Sequence, residues 1–220
     1  MSTRISRSAA IFLGLITCFP VASTASSVIF SDFGPGHTYN SVTGLAIAGT
    51  GSNPGFVEWG NSFTSSAKFD LTEIRMALGW IAGANGVTVS LDANNGGTPG
   101  QALATWSFAG LPVAGTSNSI IQTKTFAAGI VLQPGQTYWL VTAPLAANTQ
   151  AVWNFNSIGM TSVGAVKFGD GWLTTRISTG AFEVIGTSVV PESDTWFLFG
   201  TGLVGILGLI RKRKQAAGTK

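Results

Sequence analysis

Hydrophobic and polar residues alternate through much of the middle of the chain. The segment Val87-Thr-Val-Ser-Leu91 alternates strictly, which is typical of a strand with one buried face. A turn-rich segment from Asn94 to Gly100 follows, and residues 102–108 are predicted to form the next strand. No helical period of 3.6 residues persists in this region, so the sequence predicts an all-β domain.

Other short apolar segments recur at intervals of roughly ten residues, with turn signals between them. Gln133-Pro134-Gly135-Gln136 is a candidate type II turn, because proline and glycine occupy its central positions. Residues 137–142 are bulky on both faces and are predicted to form a central strand. Further strands are expected at 28–30, 45–48, 56–59, 67–69, 74–78, 120–126, 151–155, 165–168, 172–177 and 181–185. This spacing predicts a two-sheet antiparallel sandwich of the jelly-roll kind over residues 26–188.

The N-terminal segment, residues 1–25, has the order of a signal peptide. Arg4 and Arg7 precede an apolar run over 9–19, and small residues follow Pro20. We expect cleavage after Ala25 and export of the protein. A lipoprotein signal at Cys18 is the alternative, but threonine stands before this cysteine where a glycine or alanine is required.

The C-terminal segment, residues 189–220, contains an apolar run followed by a basic cluster. As a helix, the run Trp196 to Ile210 would reach roughly 22 Å, which is short of the hydrocarbon core of about 30 Å. We therefore expect a single marginal transmembrane helix that serves as a transient stop. The cluster that would hold its end in the cytoplasm is Arg211, Lys212, Arg213 and Lys214. A buried core helix, the alternative, leaves these four cations unexplained.

A short polar motif, Val190-Pro191-Glu192-Ser193, precedes this run. Motif, apolar run and basic cluster together resemble the PEP-CTERM sorting signal, with Ser193 in place of the second proline. The resemblance implies an exported bacterial protein whose partner is an exosortase, a membrane-embedded cysteine peptidase that cuts near the motif. It also implies transient residence in the inner membrane and delivery to the cell surface or exopolysaccharide.

Several segments of the middle region resemble the choice-of-anchor domains, in particular the one designated R. They are Phe33-Gly-Pro-Gly36, Ala77-Leu-Gly79, Gly96-Gly-Thr-Pro-Gly100, Pro134-Gly-Gln-Thr-Tyr-Trp139 and Trp153-Asn-Phe-Asn156. The resemblance spans nearly all of the middle domain. It implies an extracellular domain followed by an anchor, and it names no ligand.

The positive charge of the chain belongs to its two ends. The formal net charge is +3, yet residues 26–190 carry five basic residues against seven acidic ones, a balance of −2. Nucleic-acid binding is therefore not expected. The only cysteine is Cys18, so the middle domain has neither a disulfide nor a thiolate metal site.

Catalytic chemistry has little support in the sequence. His37 is the only histidine, and no Gly-x-Ser-x-Gly motif accompanies it. We expect a protein that is not an enzyme and uses no cofactor. Glycoside hydrolysis, which needs two carboxylates, is a distant alternative. Its candidate residues are Glu58, Asp70, Glu73, Asp92, Asp170 and Glu183.

Asp92 and Asn94 are the only metal-site candidates, and they are weak ones. Alternate oxygen side chains before a glycine resemble the opening of a calcium loop. The segment lacks a third side-chain ligand and the distal glutamate, so a turn without metal is the expected structure.

Tryptophans offer the alternative function. Trp106, Trp139 and Trp153 lie in apolar contexts and are predicted to be core residues. Trp59 and Trp172 are predicted to lie at turns and to be exposed. Exposed indole rings can stack on sugars, so a carbohydrate-binding module that contacts the exopolysaccharide through Trp59 and Trp172 is the competing prediction.

Overall fold

The computed structural model describes residues 25–127 and 129–189, and this part of the chain is all-β. The predicted signal peptide and the predicted sorting signal from Val190 onward lie outside the described residues. The strands are β1 (Ser26–Ser31), β2 (Tyr39–Ala48), β3 (Glu58–Thr64), β4 (Phe69–Met76), β5 (Leu78–Ala82), β6 (Gly86–Asn95), β7 (Thr98–Ala109), β8 (Gln122–Thr125), β9 (Val131–Leu132), β10 (Thr137–Pro144), β11 (Gln150–Asn156), β12 (Thr161–Lys167), β13 (Leu173–Ser178) and β14 (Phe182–Ser188). Within the described ranges, no helix is long and apolar enough to cross a membrane.

The strands form three antiparallel sheets. A six-stranded sheet has the order β13-β12-β3-β10-β6-β7, and a three-stranded sheet has the order β2-β11-β5. The five-stranded sheet has the order β1-β14-β4-β8, with β9 also paired to β4. Strand β10 lies between β3 and β6, and residues 138–142 are all buried. The prediction of a central strand at this position is confirmed.

Side chains from all three sheets form one apolar core. The ring of Phe182 stacks on Phe30 at a centroid distance of 4.5 Å and meets Trp153 and Phe63 edge-on at 5.7 and 6.1 Å. Burial of such rings is the main favourable term in folding, at about 25 cal/mol per Å² of apolar surface. Other buried members are Leu45, Ile47, Leu71, Ile74, Met76, Leu78, Val87, Val89, Leu91, Trp106, Phe108, Leu132, Tyr138, Leu140 and Val184.

The five-stranded and three-stranded sheets meet at a corner where the chain passes from β4 to β5. The backbone N–H of Ala77 donates to Ala181 (3.1 Å), and the N–H of Asn154 donates to Ala77 (2.9 Å). The prediction of a single strand over 74–78 is therefore wrong. The chain leaves the five-stranded sheet at Ala77, whose carbonyl accepts a hydrogen bond from β11 of the three-stranded sheet. Gly180 completes the corner, since a Cβ there would lie 2.5 Å from the Trp153 ring.

Asp32, just after β1, supports this corner from the N-terminal side. It is fully buried. One carboxylate oxygen accepts the Phe182 N–H at 2.7 Å, and the other accepts the hydroxyl of Thr179. Burial raises the pKa of Asp32 from 3.8 to about 7, and the hydrogen bonds from Thr179 and Phe182 offset only part of this shift.

Two buried asparagines satisfy the rest of the 179–180 backbone. The side-chain amide of Asn156 donates to the Thr179 carbonyl (3.1 Å) and to the Thr179 hydroxyl (2.9 Å). The side-chain oxygen of Asn61 accepts the Gly180 N–H at 2.7 Å. A segment that passes through the interior thus has its backbone groups paired, as buried polar groups require.

Several predicted boundaries differ from the structure, among them those of the strands predicted at 67–69, 120–126 and 165–168, and two further differences have clear local reasons. The strand predicted over 56–59 begins at Glu58, because Val57 makes only an isolated bridge to Ala48. The turn predicted from Asn94 to Gly100 contains only Gly96 and Gly97, whose φ values of 61° and 93° allow a two-residue hairpin loop. The turn predicted at 133–136 is confirmed, and its glycine at 135 has φ 72°.

The buried carboxylate makes the stability of the domain pH-dependent. The pKa of Asp32 is higher in the folded state than in the unfolded chain, so the folded state binds this proton more tightly. We expect the free energy of unfolding to fall by up to about 4 kcal/mol as pH rises from about 4 to about 7. In Asp32→Asn this slope should disappear, because the variant keeps an acceptor for the Phe182 N–H and does not ionise. Urea unfolding at a series of pH values measures the slope. Asp170→Asn, in an exposed turn, is the control and should keep it; equal slopes in Asp32→Asn and wild type would contradict the assignment.

Candidate functional site

The six-stranded sheet has one face toward the core and one face away from it. Side chains alternate along a strand, so Tyr138 and Leu140 reach the core and the intervening Trp139 lies on the opposite side. We call this second side the outer face. There Trp139, Val141 and Ala165 form a small apolar floor, against which Trp172 packs. Several residues singled out in the sequence lie around this floor.

Lys167, the last residue of β12, lies among aromatic rings and one carboxylate at one end of the outer face. Its Nζ is 5.8 Å from the centroid of Trp172 and 5.9 Å from that of Phe56, which are cation–π distances. The same atom is 3.6 Å from Oε2 of Glu58, the residue directly opposite in the register of β12 and β3. Burial raises the pKa of Glu58, the positive charge of Lys167 opposes this shift, and the charge of Asp92 adds to it.

Asp92 and Asn94 lie on the outer face of β6, on the far side of the Trp139 ring from β12. The side-chain oxygen of Asn94 accepts the indole N–H of Trp139 (2.9 Å) and the backbone N–H of Gly97 (3.2 Å). Asp92 lies opposite Trp139, is only 6% exposed, and has a buried Oδ1 without a hydrogen-bond partner. Burial raises the pKa of Asp92, and a hydrogen bond with Ser90 lowers it in part.

These contacts give Asn94 a structural role. Both acceptor sites of its oxygen are engaged by N–H groups, so this oxygen is not free to bind a cation. Within residues 25–127 and 129–189, no three or more histidine, cysteine, aspartate or glutamate side chains are grouped so as to hold a metal ion.

Trp59 and Trp172 extend from opposite sides of the six-stranded sheet. The indole N–H of Trp59 donates to the carbonyl of Ala46 in β2 (2.9 Å), and the ring packs against the core and against Val166. Trp59 belongs to β3, so the turn predicted there is wrong. Both tryptophans are half-buried, and they do not form one binding surface.

The other tryptophans bear out the prediction of burial. Trp106, Trp139 and Trp153 are 8%, 1% and 0% exposed. Trp106 and Trp153 belong to the main core, whereas Trp139 forms part of the outer-face floor. The only signal in the sequence for the position of Trp139 is that residues 137–142 are bulky on both faces, which indicates that both faces of this strand are covered.

The carboxylates considered for glycoside hydrolysis are divided between separate regions. Glu58 and Asp92 share the outer face of the six-stranded sheet. Glu73 and Glu183 belong to the five-stranded sheet, where both contact Arg75. The distance from Nη1 of Arg75 to Oε1 of Glu183 is 2.9 Å, and its Nε binds Glu73. The Arg75 guanidinium thus lies between two carboxylates and pairs with both.

His37 joins this charge cluster from the 3₁₀ turn after β1. Its Nε2 is 3.4 Å from Oε1 of Glu183 and 3.4 Å from Nη1 of Arg75, and its ring meets Phe33 edge-on. A catalytic histidine that activates a nucleophile needs a hydroxyl or thiol within hydrogen-bond reach. The partners of this ring nitrogen are instead a carboxylate and a guanidinium, which fits a surface charge network.

Comparison with known proteins found no matching family model, no matching curated protein and no matching solved structure. The resemblances to the PEP-CTERM signal and to the choice-of-anchor domain therefore stay predictions.

The Glu58–Lys167 pair can be tested by titration. In Lys167→Met the pKa of Glu58 should rise further, because the charge that opposes the effect of burial is removed. Carbon-13 NMR of the glutamate side-chain carboxyl groups measures the shift. Lys124→Met, in β8 of the five-stranded sheet, is the matched control and should leave the pKa of Glu58 at its wild-type value. An unchanged pKa in Lys167→Met would contradict the pairing.

Proposed function

We propose that this chain is an exported, non-enzymatic bacterial protein that an exosortase delivers to the cell surface or exopolysaccharide. Its motif at 190–193, apolar run and basic cluster would act as the sorting signal. In this proposal the exosortase cleaves the chain, and the chain itself catalyses no reaction. The environment of His37 supports a non-enzymatic role, because its ring faces Glu183 and Arg75 in a charge network.

The observation that carries the proposal is the position of the two ends of the domain. Strand β1 begins at Ser26, directly after the expected cleavage site at Ala25. It pairs with β14 so that Ser26 lies opposite Thr187. The last described backbone bond runs from the N–H of Val189 to the carbonyl of Lys68 (3.0 Å). The described chain thus begins and ends at the same end of the domain, and cleavage at either predicted position would remove none of the described strands.

The finer description of the fold belongs to the same proposal. Three sheets that share one core fit a sandwich in which the six-stranded sheet is one layer and the other two sheets form the second. We propose that this sandwich is of the jelly-roll kind. The pairing of β3 with β10 and β12, which are distant in sequence, supports crossed connections between the layers.

A carbohydrate-binding module is the second candidate function. The observation that favours it is the half-buried ring of Trp172 on the outer face, supported from below by the apolar floor. Trp59 has less part in this candidate, because its indole N–H and ring are engaged between the sheets. Glycoside hydrolysis stays the more distant alternative.

Deletion of residues 191–220 tests the sorting proposal. We expect the full chain to fractionate with membrane or matrix and the truncated chain to appear almost entirely in the soluble exported fraction. Cell fractionation with immunodetection measures the distribution. Deletion of residues 215–220 alone is the matched control, since it keeps motif, run and basic cluster. A truncated chain that stays with membrane or matrix would refute the proposal.

Replacement of the unusual motif residue tests the exosortase itself. Ser193→Pro restores the second proline of the motif, so processing should be retained or increased. The ratio of processed to unprocessed chain on immunoblots measures this, in a strain with the exosortase and in one without it. Loss of processing in Ser193→Pro, or equal processing in both strains, would argue against recognition of this motif.

A further inference from the structure

We propose that β13, the strand at one edge of the six-stranded sheet, pairs antiparallel with β13 of a second copy of this chain to form a two-fold symmetric dimer. We call the contact between the two copies the dimer seam. It involves residues 173–178 and no part of the sorting signal, so it is independent of the sorting proposal.

Strand β13 is an uncovered edge. Within residues 25–127 and 129–189 it pairs with β12 alone, and no further backbone hydrogen bond reaches residues 173–178. Residues 173–176 are exposed in succession, so both faces of this part of the strand are open to solvent. Alternate residues of such an edge direct their N–H and C=O groups outward, where another strand can bind them.

The opposite edge of the same sheet has features that oppose the addition of a strand. Strand β7 contains Pro99, which has no N–H to donate, and its register with β6 shifts at two places. In contrast, β13 contains no proline, and its register with β12 is continuous from Ser178 to Leu173. Its single charged residue is Arg176, whose Nε donates to the Thr161 hydroxyl in β12 (3.1 Å) and so points away from the free edge.

The edges of the other two sheets are also irregular, covered or short. The registers of β1 with β14 and of β2 with β11 each shift within the strand. Strand β5 is covered by a loop, since the N–H of Trp80 donates to Pro112 (2.7 Å) and the N–H of Ala114 donates to Trp80 (2.8 Å). Strand β8 has only four residues and carries Lys124. Among the sheet edges of the described residues, β13 alone is regular and open.

The sequence of β13 is complementary to itself in one antiparallel register. With Thr175 opposite Thr175 of the second copy, Leu173 lies opposite Ile177 on the same face, and this apolar pair occurs twice. Leu173 is 65% exposed and Ile177 is half-buried, so the seam removes apolar surface from water. On the other face Arg176 lies opposite Thr174. The neighbouring register, with Arg176 opposite itself, would bring two like charges together.

A closed pair of copies fits these edges better than a longer assembly. Pairing of β13 with β7 of the next copy would repeat without end and build a fibre, but Pro99 and the register shifts of β7 oppose it. A symmetric seam uses β13 of both copies and leaves no open edge of this kind. Two strands of six residues make a small interface, so the dimer is reversible and depends on protein concentration.

Disulfide cross-linking of the full chain in mild detergent tests the register. In a Cys18→Ser background, Thr175→Cys should give a disulfide-linked dimer as the main product of mild oxidation, because the two cysteines lie directly opposite each other. Thr174→Cys is the matched control. Its two cysteines would lie diagonally, roughly 7–8 Å apart, which is beyond the reach of an unstrained disulfide. Non-reducing gels measure the fraction cross-linked.

A charge at the centre of the seam tests the association itself. Thr175→Lys should weaken dimerisation at least about tenfold, because it places two like charges opposite each other. Thr105→Lys changes an exposed threonine of β7 at the other edge of the sheet and should leave association unchanged. Sedimentation velocity over a series of protein concentrations measures association, and thermal unfolding checks that each variant is folded.

Four results would overturn the inference: a wild-type chain that stays monomeric at the highest concentration, growth of fibres in place of dimers, equal cross-linking of Thr174→Cys and Thr175→Cys, or wild-type association of a folded Thr175→Lys. A segment of the same chain that covers β13 would produce the first of these results. None of them bears on sorting, which is measured by fractionation.

Discussion

The buried carboxylate of Asp32 is the contact on which the corner between two sheets depends. It binds the Phe182 N–H and the Thr179 hydroxyl, which are separated from it by 150 and 147 positions. Through Thr179 and Gly180 the same segment reaches Asn156 and Asn61, so strands from all three sheets meet at one polar centre. A buried polar centre of this kind is stable only while each polar group keeps its hydrogen-bond partner. It therefore favours one arrangement of the strands, and loss of a partner costs free energy of folding.

A second constraint is that β10 is covered on both faces. One face belongs to the main core, and the other carries Trp139 and Val141. A floor on the outer face needs its own cover, and the hairpin of β6 and β7 provides part of it. Pro99 of that hairpin approaches Gly60 so closely that a Cβ on the glycine would lie 3.1 Å from the ring. The floor that supports Trp172 thus exists because β10 is buried on both faces.

Period-two patterns and turn residues were sufficient to predict an all-β domain, its central strand and three of its buried tryptophans. They could not predict the break at Ala77, because its hydrogen bonds go to residues more than seventy positions away. They also could not show on which face of the six-stranded sheet each of the two half-buried tryptophans lies. Trp59 and Trp172 both adjoin glycines. Only the register of β3 with β10 places Trp59 on the core side, and only packing against Trp139 places Trp172 on the outer face. The unpartnered oxygen of Asp92 has no signal in the sequence at all.

In the export that we propose, the pairing of the first strand with the last one would set an order of events. Strand β1 would leave the translocon first, yet its only partner in the sheet, β14, leaves last among the described strands. Closure of the five-stranded sheet therefore waits until residue 187 has emerged, shortly before the proposed stop segment enters the membrane. Completion of the fold and arrest in the membrane would then nearly coincide, and the proposed exosortase would act on a chain whose domain had just closed.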